Sequence, residues 1–160
     1  MMNITVIALG KLKESYMREF SAEYEKRLRS FCKLNIIEIS PEALPENPNE
    51  KQIASALDNE AKKISSKIPS GTKIVSLCIE GRQKSSAQLS DFFEKTAVDG
   101  FGGVTFIIGS SYGLSEKIKM SSDERISMSK MTFPHQMARI MLLEQIYRAF
   151  SIINGSKYHK

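Results

Sequence analysis

The chain has 160 residues, 41% of them hydrophobic and 26% charged, which suits one domain with a buried core. No apolar run approaches the ~20 residues of a bilayer-crossing helix, and the opening MMNITVIALGKLKE lacks the basic leader and small-residue cleavage site of a secretory signal, so a soluble cytoplasmic protein is expected. The formal charge of +5 is compatible with an anionic partner such as RNA without requiring one.

Asn3 to Leu9 (NITVIAL) is a β-branched run closed by Gly10, which predicts a first strand. From Glu14 to Phe31, the residues Tyr16, Met17, Phe20, Tyr24, Leu28 and Phe31 recur at helical spacing, with charged residues on the other face. Leu34 to Ser40 (LNIIEIS) reads as a second strand stopped by Pro41. A loop punctuated by Pro41, Pro45 and Pro48 leads to a polar helix, Asn49 to Lys67, whose narrow stripe is Ile53, Leu57, Ala61, Ile64 and Ile68. Pro69-Ser70-Gly71 turns the chain into a third strand, Thr72 to Ile79. Ser85 and Gln88 then fit a capping box for a helix to about Val98. A fourth strand spans Val104 to Ile108, and a short helix covers about Ser115 to Met120. A fifth strand lies near Ile126 to Met128, and the last helix runs from Gln136 to Ile153. Strands alternating with helices predict an α/β fold, a parallel sheet covered by helices on both faces. Without repeats or a long linker, residues 1–160 form a single domain.

Several chemistries are excluded. Cys32 and Cys78 make no CxxC pair and have no histidine nearby, so zinc spacing is absent and buried free thiols are expected; no metal is implied. GxxxxGK[ST], HExxH and GxSxG are missing. Gly100-Phe101-Gly102-Gly103 precedes a strand instead of joining a strand to a helix, so it is no Rossmann phosphate loop.

In open parallel sheets, ligands bind beyond the carboxyl ends of the strands. Four of those ends carry small or flexible loops: Gly10, Glu80-Gly81, Gly109, and Ser129 to Thr132. They are either ordinary turns or one converging binding edge. On the last helix, Leu142, Leu143, Ile146, Ala149, Phe150 and Ile153 form the core stripe at about 100° per residue. Arg139 falls in that arc at the first turn, where a guanidinium must be paired or face a cavity. Met137, Ile140, Met141 and Tyr147 make a second apolar patch, which fits either a partner subunit or deep burial in a monomer. His135, after Pro134, is either a capping residue or a proton-handling or phosphate-contacting group. The tail Ser156 to Lys160 is either a frayed end or an RNA contact that combines stacking with charge.

The segments ALGKLKE (Ala8–Glu14), EYEKRL (Glu23–Leu28), the IEGR turn and IIGSSYGL (Ile107–Leu114) occur in order. They are followed by SKMTFPHQMARIMLLEQIYRAFSI and the terminal YHK. Together, end to end and at matching length, they resemble the RlmH family of SPOUT-class methyltransferases. The resemblance implies methylation of N3 of a pseudouridine in large-subunit (23S) ribosomal RNA with S-adenosylmethionine. It also implies a homodimer and a C-terminal trefoil knot, one of the rare exceptions to unthreaded topology. Its donor pocket maps onto Leu77, Gly109, Met128, Ser129, Lys130, Met131, Thr132 and Phe133. Here Ser110 and Ser111 follow Gly109 where relatives carry IGGS, and Met128 stands where relatives often have Phe; neither alters the assignment. Arg139, His135, Tyr158 and His159 are the catalytic candidates. Arg139 and Lys130 are placed to neutralise phosphate or a developing imide anion, and His135 or His159 to accept the proton. Tyr158, His159 and Lys160 are candidates to reach the target, across the dimer, and Lys11, Lys13, Arg82 and Lys160 to hold RNA. Two competing classes remain: an RNA-docking module without methyl transfer, and an unknotted, monomeric nucleotide-binding regulator of flavodoxin-like form.

Overall fold

In the computed structural model, which describes residues 1–160, the strands are β1 (Asn3–Leu9), β2 (Lys33–Ile39), β3 (Thr72–Gln83), β4 (Gly103–Ile108) and β5 (Glu124–Ser127). The helices are α1 (Ser15–Leu28), α2 (Glu50–Ser65), α3 (Ser86–Val98), α4 (Glu116–Ser121) and α5 (His135–Ile153). All strand pairs are parallel, in the order β2-β1-β4-β3-β5. Successive side chains on a strand face opposite ways, and both faces of this sheet are apolar. Ile4, Val6, Val104, Phe106 and Ile108 meet α1, α3 and α5 on one face. Ile7, Leu9 and Ile107 meet α2 and α4 on the other. The expected architecture is therefore the observed one. No helix is long and apolar enough to cross a membrane.

The larger core centres on α5, which packs between α1 and α3. Leu142, Leu143, Ile146, Ala149 and Phe150 are buried as the stripe predicts. The Phe150 ring stacks on Phe93 of α3 at 5.0 Å and lies parallel to Phe31 at 6.2 Å. Part of the second apolar patch is satisfied within the chain: Ile140 is buried, and Tyr147 packs against Tyr24 and Phe31. Met137 stays 43% exposed.

Helix ends follow capping chemistry. Ser85 and Gln88 make the expected capping box, and Asn49 with Gln52 makes a second one that starts α2. α1 stops at Leu28, short of Phe31, where the Phe31 N–H donates to the Leu28 carbonyl in a tighter turn. Phe31 still reaches the core, so the apolar spacing outlasts the helix that suggested it.

β3 runs past Ile79, the expected end, to Gln83. Ile126 of β5 is the register partner of both Leu77 and Arg82, so residues 78–81 are looped out of register. A Cβ at Gly81 would fall 2.7 Å from the Ile126 carbonyl carbon and 2.8 Å from that of Arg125. The glycine marks close backbone approach rather than the end of a strand.

Truncating the stacked ring tests the core. Phe150→Ala is expected to cost about 3–5 kcal/mol. Urea titration should show a lower midpoint with an unchanged slope.

Candidate active site at the carboxyl edge of the sheet

The irregular stretch of β3 and the carboxyl ends of β4 and β5 open on one cleft of about 810 Å³, within the roughly 300–1,000 Å³ typical of small-molecule sites. Residues 77–80 form one wall, residues 108–114 a second, and the loop joining β5 to α5 a third, with Lys119 and Ala138 closing the ends. The wall after β4 is a tight turn: the Gly113 N–H donates to the Ser110 carbonyl at 2.9 Å. A Cβ at Gly109 would lie 2.4 Å from the Gly113 carbonyl oxygen, so a side chain there displaces the turn. Serines stabilise the irregular backbone. Ser127 Oγ donates to the Ser129 carbonyl at 2.9 Å, and Ser129 Oγ accepts the Met131 N–H at 3.0 Å. Ser115 Oγ caps α4 by accepting the Ile118 N–H.

Seven of the eight expected donor-pocket residues meet here: Leu77, Gly109, Met128, Ser129, Met131, Thr132 and Phe133. Lys130 does not line the cleft. His135 does, and its ring lies against Gly10, where a Cβ would be 3.2 Å from Nε2. Burial, reinforced by the charge of Lys13, holds the His135 imidazole below its ordinary pKa of 6.5, which favours the neutral ring. The Lys13 backbone N–H donates to the Gln136 side chain at 3.1 Å, joining the first strand's loop to α5.

Other candidates lie elsewhere within the chain. Arg139 is 7% exposed, and its Nη1 donates to Glu38 Oε2 at 2.7 Å. Its Nε has no partner. Arg139 borders a separate cleft of about 330 Å³ together with Lys11, Arg18 and Glu25. Arg82 sits on another surface, beside Lys84, Lys95 and Arg125. Tyr158 packs edge-on against Tyr147 at 4.8 Å, under the Arg148 guanidinium, and donates to Glu144 at 3.1 Å. Burial, together with Tyr24 and Glu144, pushes its phenol well above the ordinary range. His159 Nδ1 is 3.4 Å from Arg148, and Lys160 ends the same exposed tail. Through Tyr158 and His159 this tail folds back onto the middle of α5, at Glu144, Tyr147 and Arg148, and none of its residues lines the cleft.

The sequence reading gave no individual role to three groups beside the cleft. Cys78 lines it, and burial pushes its thiol pKa up. Glu80 pairs with Lys119 at 2.5 Å, and that hydrogen bond holds the carboxyl below its ordinary pKa. Glu60 is 4% exposed on α2 and holds the Ser110 hydroxyl at 3.3 Å. A signal for Glu60 existed: Ile53, Leu57, Glu60 and Ile64 keep helical spacing, which puts a carboxylate in the buried stripe.

The residues present fit S-adenosylmethionine. Leu77, Ile79, Ile108, Leu114, Met131 and Phe133 offer apolar surface suited to an adenine and a thioether chain. The irregular backbone after β4 and β5 brings N–H and C=O groups to the same edge. The N-terminus of α5 has no side-chain cap, a setting that favours a carboxylate.

Comparison with known proteins agrees with this geometry. A family described as "Predicted SPOUT methyltransferase" matches residues 2–159. "Ribosomal RNA large subunit methyltransferase H" of Bacillus pumilus (strain SAFR-032) is 45% identical over 159 residues, covering 99% of this chain and 100% of the relative. The protein of the same name from Clostridium botulinum (strain Alaska E43 / Type E3) is 48% identical with the same coverage. Among solved structures, a "probable methylase family protein from Haemophilus influenzae Rd KW20" superposes with a TM-score of 0.55 at 14% identity, covering 99% of this chain and 71% of the other. That match speaks for the fold alone.

The half-buried imidazole has a consequence for stability. With its folded pKa depressed below 6.5, His135 takes up its proton more readily in the unfolded chain, so its contribution is present above about pH 6.5 and lost as pH falls through the folded value. Thermal melts at about pH 7.5 and pH 5 should show a narrower gap in His135→Asn than in the wild type.

Proposed function

The chain belongs to the SPOUT methyltransferase family, and on that premise we propose that it methylates N3 of a pseudouridine in large-subunit ribosomal RNA, using S-adenosylmethionine. The observation that carries this is the cleft itself, where Leu77, Gly109 and the 128–133 loop converge from three strands. The ribosomal substrate comes from what the relatives' names say of those proteins. The reading includes a cytoplasmic enzyme that acts on the large subunit or the assembled ribosome.

The proposal includes a homodimer and a C-terminal trefoil knot. The double register of Ile126 and the loop laid over the β5 backbone at Gly81 support the knot. Tyr16 (64% exposed), Phe20 (54%) and Met137 (43%) on the packed pair α1 and α5 support a covered face. The tail supports the dimer by its position: Tyr158 and His159 lie on α5 at Glu144 to Arg148 and do not line this chain's own cleft, which leaves them available to a partner's site.

When bound, S-adenosylmethionine supplies an electrophilic methyl group on a sulfonium centre. The chain has to orient the imide, remove its N3 proton and exclude competing water. Apolar walls at the half-buried Leu77 and Phe133 limit water, and the fixed turn at Gly109 holds the donor side. A neutral His135 at the cleft wall is able to accept the N3 proton; His159 of the partner subunit is the alternative acceptor. Lys130, turned away from the cleft, is free for the RNA backbone. Arg139 borders a hollow with Lys11 and Arg18, whose three cations outnumber the carboxylates of Glu25 and Glu38 there, a setting suited to phosphate. Lys13 adjoins that hollow, its carbonyl accepting from Arg18 Nη1, and Arg82 offers a separate contact on another surface.

Labelled methyl transfer to ribosomes lacking the modification, mapped by reverse-transcription stops, tests the reading. One stop at a pseudouridine is expected, because N3 methylation blocks the pairing edge. Absence of label and stop would leave an RNA-docking module instead. Calorimetry should show Gly109→Val losing donor affinity by more than about tenfold. Arg139→Ala and deletion of Tyr158–Lys160 should lower transfer while sparing donor affinity.

A further inference from the structure

Ser110, Ser111, Tyr112 and His135 border both the main cleft and a second cavity of about 160 Å³. That is room for roughly five waters, the scale of one pyrimidine ring rather than of a nucleoside. Pro41, Leu44, Ile53 and Leu57 give this cavity apolar walls, and Glu60 gives it a carboxylate.

Glu60 is an unusual residue to bury. It is 4% exposed, and it takes part in none of the chain's ion pairs. The nearby Lys63 is engaged with Glu42 instead, at 2.7 Å. Oε2 accepts the Glu42 backbone N–H at 2.9 Å, and Oε1 holds the Ser110 hydroxyl at a long 3.3 Å. A carboxylate offers about four acceptor positions, so this one retains capacity while lining the cavity. Burial of such a group is costly unless its remaining positions find donors.

We propose that the second cavity receives the target base, with Glu60 accepting the N1–H that distinguishes pseudouridine from uridine. The proposal rests on the methyltransferase reading above. Pseudouridine is joined to its ribose through C5, so a ring entering with the sugar outward carries C2=O innermost, with N1 and N3 on its two flanks. One flank then meets α2 at Glu60, and the other meets the wall shared with the cleft at Ser110 and His135. N3 is thereby presented to the donor side while N1–H satisfies the buried carboxylate. Uridine, joined through N1, enters with C4=O innermost and sets a C5–H where the N1–H would be. Glu60 is then left without a donor although N3 stays in place. Sites built around a substrate N–H reject analogues that lack it for this reason.

The test compares ribosomes carrying pseudouridine at the target position with ribosomes carrying uridine there. Wild-type enzyme should favour the former in kcat/KM by roughly 10- to 100-fold, the scale of one hydrogen bond to a charged group. In Glu60→Gln, the amide oxygen stays on the Glu42 N–H and turns the NH₂ toward the base. Most of the preference should vanish, with donor affinity by calorimetry within about twofold of wild type. Leu57→Phe and Ile53→Phe, at half-buried wall positions, fill the cavity and should lower kcat/KM on pseudouridine at least tenfold with donor affinity retained. These two decide the question if Glu60→Gln fails to fold. An unchanged preference in Glu60→Gln, full activity in the filled cavity, or parallel loss of donor affinity overturns the proposal. Failure of the wild type to methylate either ribosome overturns the underlying reading instead.

Discussion

The contact between residues 78–81 and the backbone of Arg125 and Ile126 sets the shape of the site. Peptide planes approach there at a distance that admits no Cβ at Gly81. With that contact in place, residues 77–80 become one wall of the cleft, and the chain leaving β5 is directed across the sheet edge to become another. A side chain at position 81 would separate the two. Gly109 does the same for the third wall, where the turn closes onto Gly113. The cleft is therefore built by steric omission at two backbone crossings.

Buried charge follows a different logic. The serines at 115, 127 and 129 are occupied with their own loops, so they hold geometry and leave little capacity over. Glu60 and Arg139 are each buried with an unfilled position, and neither neutralises the other. A core that tolerates two such groups must recover their desolvation elsewhere. The aromatic stack of Phe31, Phe150 and Phe93 supplies apolar burial on the scale required.

Periodicity in the sequence located every strand and helix, because each element has an apolar face that must be covered. It misjudged the places where local and global demands differ. Gly81 was expected to end a strand, since a glycine signals a turn and a close approach with the same letter. Phe31 continued a helical pattern beyond the helix. Arg139 was recognised as an anomaly, but its partner Glu38 lies 101 residues away, beyond any local rule. The donor loop was identified by family resemblance and not by spacing, and the packing of Tyr158 on Tyr147 had no sequence signal at all. Glu60 was readable in principle from its place in the stripe of α2, yet a lone carboxylate among exposed ones attracts no notice until burial is known.

The two faces of the sheet are unequal. α1, α3 and α5 share a cluster of 17 buried apolar residues, whereas α2 and α4 rest on one of 8. Free energy of local opening tracks buried apolar contact, so amide protons of α2 and α4 will exchange with solvent long before those of α5. The thinner face is the one that carries Glu60 and closes the smaller cavity. Opening therefore starts on the face that borders the smaller cavity, while the sheet and the larger core stay folded.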